Sequence, residues 1–232
     1  MIETIKIPGT HSTSLTACSK IYQTISRRIV RNVTLLPSSR RYNLTISHNH
    51  RFVWFRVGKV ASRTIFHTLE SANVQLDAEH PMSCHYPPAK FEDYFKFAFV
   101  RNPWDRLTSC WKNKVLFFNH FGLSESELNE MKNFENFVSF VEKQDIESCD
   151  PHIRSQASLI DLNNIDYIGR FEKFSDDLET VCKKIGINPI IEQMNKAKVS
   201  TSNQDIYSSE LIKRVEKIYE KDINLFNYTF PK

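Results

Sequence analysis

The sequence predicts an α/β fold in three layers, with a central parallel sheet flanked by helices on both faces. Three observations carry that expectation. Two runs, RFVWFRV (51–57) and YFKFAFV (94–100), are almost continuous in β-branched and aromatic residues, the pattern of strands buried on both faces. Each run stops at a turn and gives way to apolar residues at helical spacing. The chain has 232 residues, 41% of them hydrophobic and 12% aromatic, enough to build one sizeable core.

The elements follow in chain order. NLTIS (43–47) reads as a strand, set off from RFVWFRV by the polar HNH. Ser62 is placed to cap a helix that carries Ile65, Phe66 and Leu69 on one side. After YFKFAFV, the turn RNPWDR puts Pro103 in a first helical turn, and Leu107, Trp111 and Val115 continue at helical spacing. Phe134, Phe137, Val138 and Val141 form one apolar stripe. Leu178, Val181, Cys182 and Ile185 form another, opened by Ser175-Asp176-Asp177 and closed by Gly186. IDYIG (165–169) is a short strand ahead of that helix, and a last helix over 208–225 carries Leu211, Val215, Ile218 and Leu225. Residues 1–45 are expected to be a basic, partly ordered extension and 46–232 a single domain.

Composition excludes several classes. No run of ~18 or more uninterrupted apolar residues exists, and the start MIETIKIPGTHS has neither a basic nor an apolar signal region, so no membrane span is expected and a cytoplasmic location is. Cys18, Cys84, Cys110, Cys149 and Cys182 are widely spaced without a C-x-x-C pair, which argues against a disulfide framework, and with no ligand spacing among cysteines and histidines no metal is expected. The positive charge is local: Lys6, Lys20, Arg27, Arg28, Arg31, Arg40 and Arg41 face Glu3 alone in the first fifty residues. Such a leader is read as a solvated extension, and no nucleic-acid partner is expected.

In open α/β sheets ligands sit beyond the carboxyl ends of the strands. That rule brings two stretches to one rim. Lys59 to Thr64 follows the first buried strand, and Arg101 to Ser109 follows the second. A helix start under the first loop offers unpaired N–H groups and the positive end of the helix dipole, with Lys59 adding a mobile charge and Ser62 and Thr64 adding hydroxyls. The nucleotide-binding pattern G-x-x-x-x-G-K-[ST] fails here, because Val53 and Val60 stand where glycine and the metal-holding hydroxyl belong. A magnesium-dependent kinase on a related P-loop fold is therefore a weaker alternative, and a non-catalytic anion- or nucleic-acid-binding module is another.

KVASRT, followed about forty residues on by FAFVRNPWDRLTSCW, resembles the paired signature of sulfotransferases that use 3′-phosphoadenosine 5′-phosphosulfate (PAPS), the carbohydrate-type family 2 in particular. IGRFEKFSDDLETVCKKIGI, NKAK and IYEKDINLFNYTF continue the resemblance in order, over residues 46–232. It implies a P-loop NTPase-like sulfotransferase fold and in-line transfer of a sulfuryl group from PAPS to a hydroxyl of a carbohydrate or small molecule. Lys59 falls on the lysine of the 5′-phosphosulfate loop, and Val60, Ala61, Ser62, Arg63 and Thr64 fall on the turn and helix start around it. Arg101 and Ser109 fall on the pair that holds the 3′-phosphate, and Arg106 and Arg170 are further candidates for the bisphosphate. Two departures stand out: Gly58 replaces the usual proline before the lysine, and Arg63 replaces a small or hydroxyl residue.

The chemistry implied needs a cation on the leaving oxygen and a base for the acceptor proton. Lys59 is the expected cation. His85, in SCHYPPAK, is the base the resemblance implies, with His80 as a nearby substitute, and His152 in DPHIRSQ reads as an acceptor-side residue. The acceptor pocket is expected from the loops at 73–93 and 117–133, whose composition names no substrate.

Overall fold

The structure, a computed structural model, describes residues 36–80, 82–188 and 204–231. Most of the basic leader and the NKAK stretch (195–198) lie outside the described residues. The described chain falls into two compact units, residues 36–41 with 85–93 and residues 42–84 with 94–231. In the smaller unit the Ser38 amide donates to the Tyr86 carbonyl at 2.7 Å, and a 3-10 turn spans Pro88–Phe91.

The larger unit holds one four-stranded sheet in the order β1 (Leu44–Ser47), β2 (Phe52–Phe55), β3 (Phe95–Val100), β4 (Tyr167–Arg170). β2–β3 and β3–β4 are parallel, whereas β1–β2 is antiparallel with Ser47 opposite Phe52. The expected parallel sheet is present from β2 to β4, and β1 adds an antiparallel edge, so the sheet as a whole is mixed. Its cause is the short link at 48–51: a parallel return needs a crossover of roughly a dozen residues or more, while a tight loop permits only a hairpin. β2 is fully buried along its length, as its unbroken apolar run requires.

Helices among the described residues of this unit are α1 (Ser62–Ser71), α2 (Pro103–Trp111), α3 (Glu125–Met131), α4 (Phe134–Glu142), α5 (Phe174–Lys184), α6 (Ser209–Ile218) and α7 (Glu220–Phe226). α2 starts as its sequence dictates, with Pro103 in the first turn and the Asn102 side chain accepting from the Trp104 amide at 3.2 Å. Its helical path runs on through a π-turn at Lys112–Leu116, so Val115 is buried with Leu107. Leu107, Cys110, Phe137, Val138, Val141, Leu211 and Val215 form a core between α2, α4 and α6. Each such side chain withdrawn from water contributes roughly 1.5–3 kcal/mol.

Two helix starts and one helix end differ from expectation. Ser62 is the first residue of α1 and not its cap: the cap position is Ala61, left-handed at φ 65°, and the Ser62 hydroxyl turns back to donate to the Val57 carbonyl at 3.1 Å. α5 begins at Phe174 without a side-chain cap, because its cap position is Lys173, which has no acceptor, and Asp177 lies inside the helix, accepting from the Tyr167 hydroxyl at 2.8 Å and from the Arg170 amide. The single last helix is two, broken at Tyr219. That break turns the second piece, so Ile223 and Phe226 are buried in place of Leu225.

Candidate functional site

β2 and β3 run in the same direction, so the loops leaving them open on one rim of the sheet. There they line a cleft of about 630 Å³. Gly58, Lys59, Ala61, Ser62, Arg63 and Thr64 come from the first loop and the start of α1. Arg101, Ser109, Asn113 and Lys114 come from the second loop and its helix, and Asp150, Pro151, His152, His120 and Phe171 complete the wall. The cleft therefore unites the two stretches that the sequence placed at one sheet edge.

The first loop is shaped by its backbone. Lys59 and Ala61 both adopt positive φ, 71° and 65°, an arrangement that costs of order 1–2 kcal/mol for a residue with a side chain. Alternating left- and right-handed residues turn successive N–H groups inward as a nest for an anion. The Thr64 and Ile65 amides both donate to the Ala61 carbonyl, while the Ser62 hydroxyl is spent on Val57, so α1 starts without a side-chain cap. Burial lowers the Lys59 ammonium to about 8, and the positive charges of Lys114, Arg101 and Arg63 push it the same way. A site that crowds cations in this manner is built for negative charge.

Arg101 is held from its main chain. Its amide donates to Gln156 Oε1 and its carbonyl accepts from Gln156 Nε2, each at 2.9 Å. Gln156 sits in a 3-10 turn whose Ser155 hydroxyl, Gln156 amide and Ala157 amide all donate to the fully buried Asp222 carboxylate, at 2.7, 2.7 and 2.9 Å. The guanidinium stacks over the Phe171 ring at 4.0 Å and donates from Nη1 to the Lys59 carbonyl at 3.3 Å. Its Nε is buried with no hydrogen-bond partner among the described residues. Burial lowers the Arg101 pKa, with Asp105 and Glu172 opposing it. An orphaned buried donor beside an otherwise half-used guanidinium fits a phosphate, which would supply the missing acceptors.

Arg106 sits elsewhere. It is 1% exposed, and its three donor nitrogens go to main-chain carbonyls: Nε to Gly58 at 3.0 Å, Nη1 to Arg154 at 2.8 Å, Nη2 to Pro151 at 3.0 Å. It ties the first loop to the 150–154 segment. Arg170 likewise spends Nη2 on the Phe226 carbonyl and stacks over Tyr228 at 4.8 Å. Val60 points its side chain into the core, with no exposed surface. His85 belongs to the smaller unit, where Nδ1 is 2.7 Å from the Ser38 carbonyl oxygen.

Spacing in the sequence did not reveal the group formed by His120, Asp150 and His152, whose ligand-type atoms lie within 4.8 Å of one another. Asp150 accepts from the His152 amide and ring Nδ1, both at 2.8 Å, and lies 3.1 Å from His120 Nε2. Lys114 Nζ stands 3.3 Å from the other nitrogen of His120. Burial alone would raise the Asp150 carboxyl, but the bonds from His152 and His120 outweigh it and hold the group well below the carboxylate range. Gly58 explains its own place: a Cβ there would stand 3.3 Å from His152 Cδ2 and 3.5 Å from the Pro151 carbonyl. The only sequence signal for this group was Asp-Pro-His itself, in which an aspartate can bond its own chain two residues on.

No helix among the described residues is long and apolar enough to cross a membrane. A model of the sulfotransferase family matches residues 42–229. Carbohydrate sulfotransferase 11 of Rattus norvegicus is 25% identical over 174 residues, which cover 61% of this chain and 49% of that protein. Carbohydrate sulfotransferase 14 of Danio rerio is 23% identical over 268 residues, 92% of this chain and 73% of that protein. An uncharacterized protein of Archaeoglobus fulgidus is 26% identical over 117 residues, 50% of this chain and 85% of its own length. The chain spans about half the length of the first of these relatives. No solved structure matches.

Proposed function

The chain belongs to the sulfotransferase family, and from that premise we propose that it moves a sulfuryl group from PAPS to a hydroxyl of a carbohydrate or small-molecule acceptor by in-line displacement. One observation carries the reading: Lys59 and Arg101 line a single cleft, joined by a hydrogen bond, with a helix start between them. A donor with phosphate at both ends of its ribose needs two anion seats, and this cleft supports two.

The nest at Lys59–Ala61 and the first amides of α1 would take the 5′-phosphosulfate. Arg101, with its orphaned Nε, and Ser109 would take the 3′-phosphate, which ATP lacks. As the bond to sulfur breaks, charge builds on the leaving phosphate, and Lys59 supplies the compensating cation from a partly desolvated position, where such a contact is worth ~10²- to 10³-fold in rate. PAPS supplies the activated sulfuryl group; the chain binds, orients and neutralises. The names of the curated relatives favour a glycan hydroxyl as acceptor.

The test is calorimetric titration with adenosine 3′,5′-bisphosphate (PAP) beside ATP, repeated on Arg101→Ala. PAP binding well above ATP binding, lost in the variant, supports the donor assignment. Equal affinity for both nucleotides, or magnesium-dependent ATP turnover, would transfer the chain to the kinase alternative.

A further inference from the structure

We propose that His152, oriented by Asp150, is a general base of the transfer reaction, taking the proton of the acceptor hydroxyl at its Nε2. The inference rests on the sulfotransferase reading and deepens it by assigning the acceptor side of the same cleft.

Four observations lead there. His152 Nδ1 lies 2.8 Å from an Asp150 oxygen that also accepts the His152 amide, so Nδ1 carries the proton and Nε2 keeps its lone pair. The Cδ2 edge of the ring, to which Nε2 is bonded, runs beside Gly58, close enough that a methyl group there would crowd it at 3.3 Å. Gly58 directly precedes Lys59, and Gly58, Lys59 and His152 all line the cleft. Arg106 fixes that proximity by binding the Gly58 and Pro151 carbonyls together. Base, orienting carboxylate and cation are thus held by one buried guanidinium.

The charges around the ring favour the neutral form. Burial lowers the His152 pKa below its ordinary value, Lys114 and His120 add to this, and Asp150 opposes them. Lys59, on the adjoining loop, is a further cation on that side of the cleft. The proton balance is simple. The acceptor oxygen forms its bond to sulfur as the sulfur–phosphate oxygen bond breaks, the bonding pair leaves with the phosphate, and the acceptor proton ends on Nε2.

The experiment compares the unchanged chain with His152→Asn, Asp150→Asn and His85→Asn. Labelled PAPS is the donor, a chemically desulfated glycosaminoglycan mixture is the acceptor probe, and PAP binding is measured on each protein. The expected result is a loss of ~10²- to 10⁴-fold in kcat for His152→Asn with PAP affinity and melting temperature kept. For Asp150→Asn the acid limb of the rate profile should move to lower pH, because the carboxylate that raises the His152 pKa is gone. A purely structural histidine would not shift that limb. Full activity of His152→Asn, with loss confined to His85→Asn, would overturn the proposal. So would activity abolished by a chelator and restored by zinc, which would make His120, Asp150 and His152 a metal site. Absence of PAP binding by the unchanged chain would instead defeat the sulfotransferase reading, and the base with it.

Discussion

The Arg101 guanidinium donates to the main-chain carbonyl of Lys59 at 3.3 Å, so the two proposed anion seats are mechanically one. The loop after β2 cannot shift without disturbing the residue after β3. Arg101→Ala therefore removes the proposed phosphate ligand and frees the Lys59 backbone, whose left-handed conformation is held against strain. PAP affinity should fall at least ~10-fold, the scale of a lost charge-assisted bond. Arg101→Lys should rescue little, since a single ammonium cannot span both the carbonyl and the phosphate. Calorimetry on both variants checks this.

The lowered Lys59 pKa gives a signed pH prediction. At neutral pH the ammonium is mostly charged, but above about 8 it loses its proton in the free protein, so PAP binding should weaken through that range. Stability runs the other way. The unfolded lysine keeps its proton up to about 10.5, so between about 8 and 10.5 the unfolded chain binds more protons than the native one, and this group makes the ligand-free protein more stable as pH rises. Lys59→Met should flatten both dependences. PAP titrations and urea melts across pH 7 to 10 read them separately.

How far the site was legible depended on whether its parts are local in sequence. Lys59 and the Arg101–Ser109 pair announce themselves, because each sits directly after a run that reads as a buried strand. The strand direction of β1 was not taken from the sequence, although the short HNH link contained it. Ser62 misled for a physical reason: a serine before an apolar stripe is the usual cap, yet here a nest replaces the cap and the hydroxyl serves Val57. The supports of Arg101 were invisible because they arrive from afar, through Gln156 and then Asp222. His120 and Asp150 meet across thirty positions, and no periodicity records such a meeting.

That remote support should be testable without touching the ligand. Gln156→Ala removes both bonds that hold the Arg101 main chain, and the prediction is a weaker grip on PAP with little change in ATP binding, which does not use the 3′ seat. Asp222→Ala is expected to be harsher. It strands three buried donors, at ~1–3 kcal/mol each, which is a large part of a typical domain's stability. A chemical denaturation series should place the Asp222 variant far below the Gln156 one.

Gly169 offers a stability prediction close behind the site, two residues before the Phe171 ring on which Arg101 stacks. It lies on β4 opposite Phe99, and a Cβ there would stand 2.6 to 2.9 Å from three atoms of that ring. The ring cannot swing aside cheaply, because Phe99 is fully buried and packs on Phe97 and Phe174. Gly169→Ala should therefore cost ~1–3 kcal/mol by overpacking, outweighing the propensity that alanine would otherwise add. Thermal melting would show a clear drop, and because Gly169 and Phe99 stand near the carboxyl ends of β4 and β3, just before Phe171 and Arg101, PAP affinity should fall with it.

Gly58→Ala separates the two readings of the unusual glycine before Lys59. Its φ is not positive, so alanine is tolerated by the backbone, and the obstacle is His152 Cδ2 at 3.3 Å. A neighbour that must give by a few tenths of an ångström displaces either the histidine ring or the loop. If the glycine serves only loop mobility, alanine should leave turnover alone and tighten PAP binding slightly by stiffening the turn. Close packing of His152 against the loop requires the opposite: PAP affinity nearly unchanged and kcat reduced by ~10-fold or more, since misplacing a reacting group by ångström-scale distances is costly. Measuring Kd and kcat on this one variant decides between them.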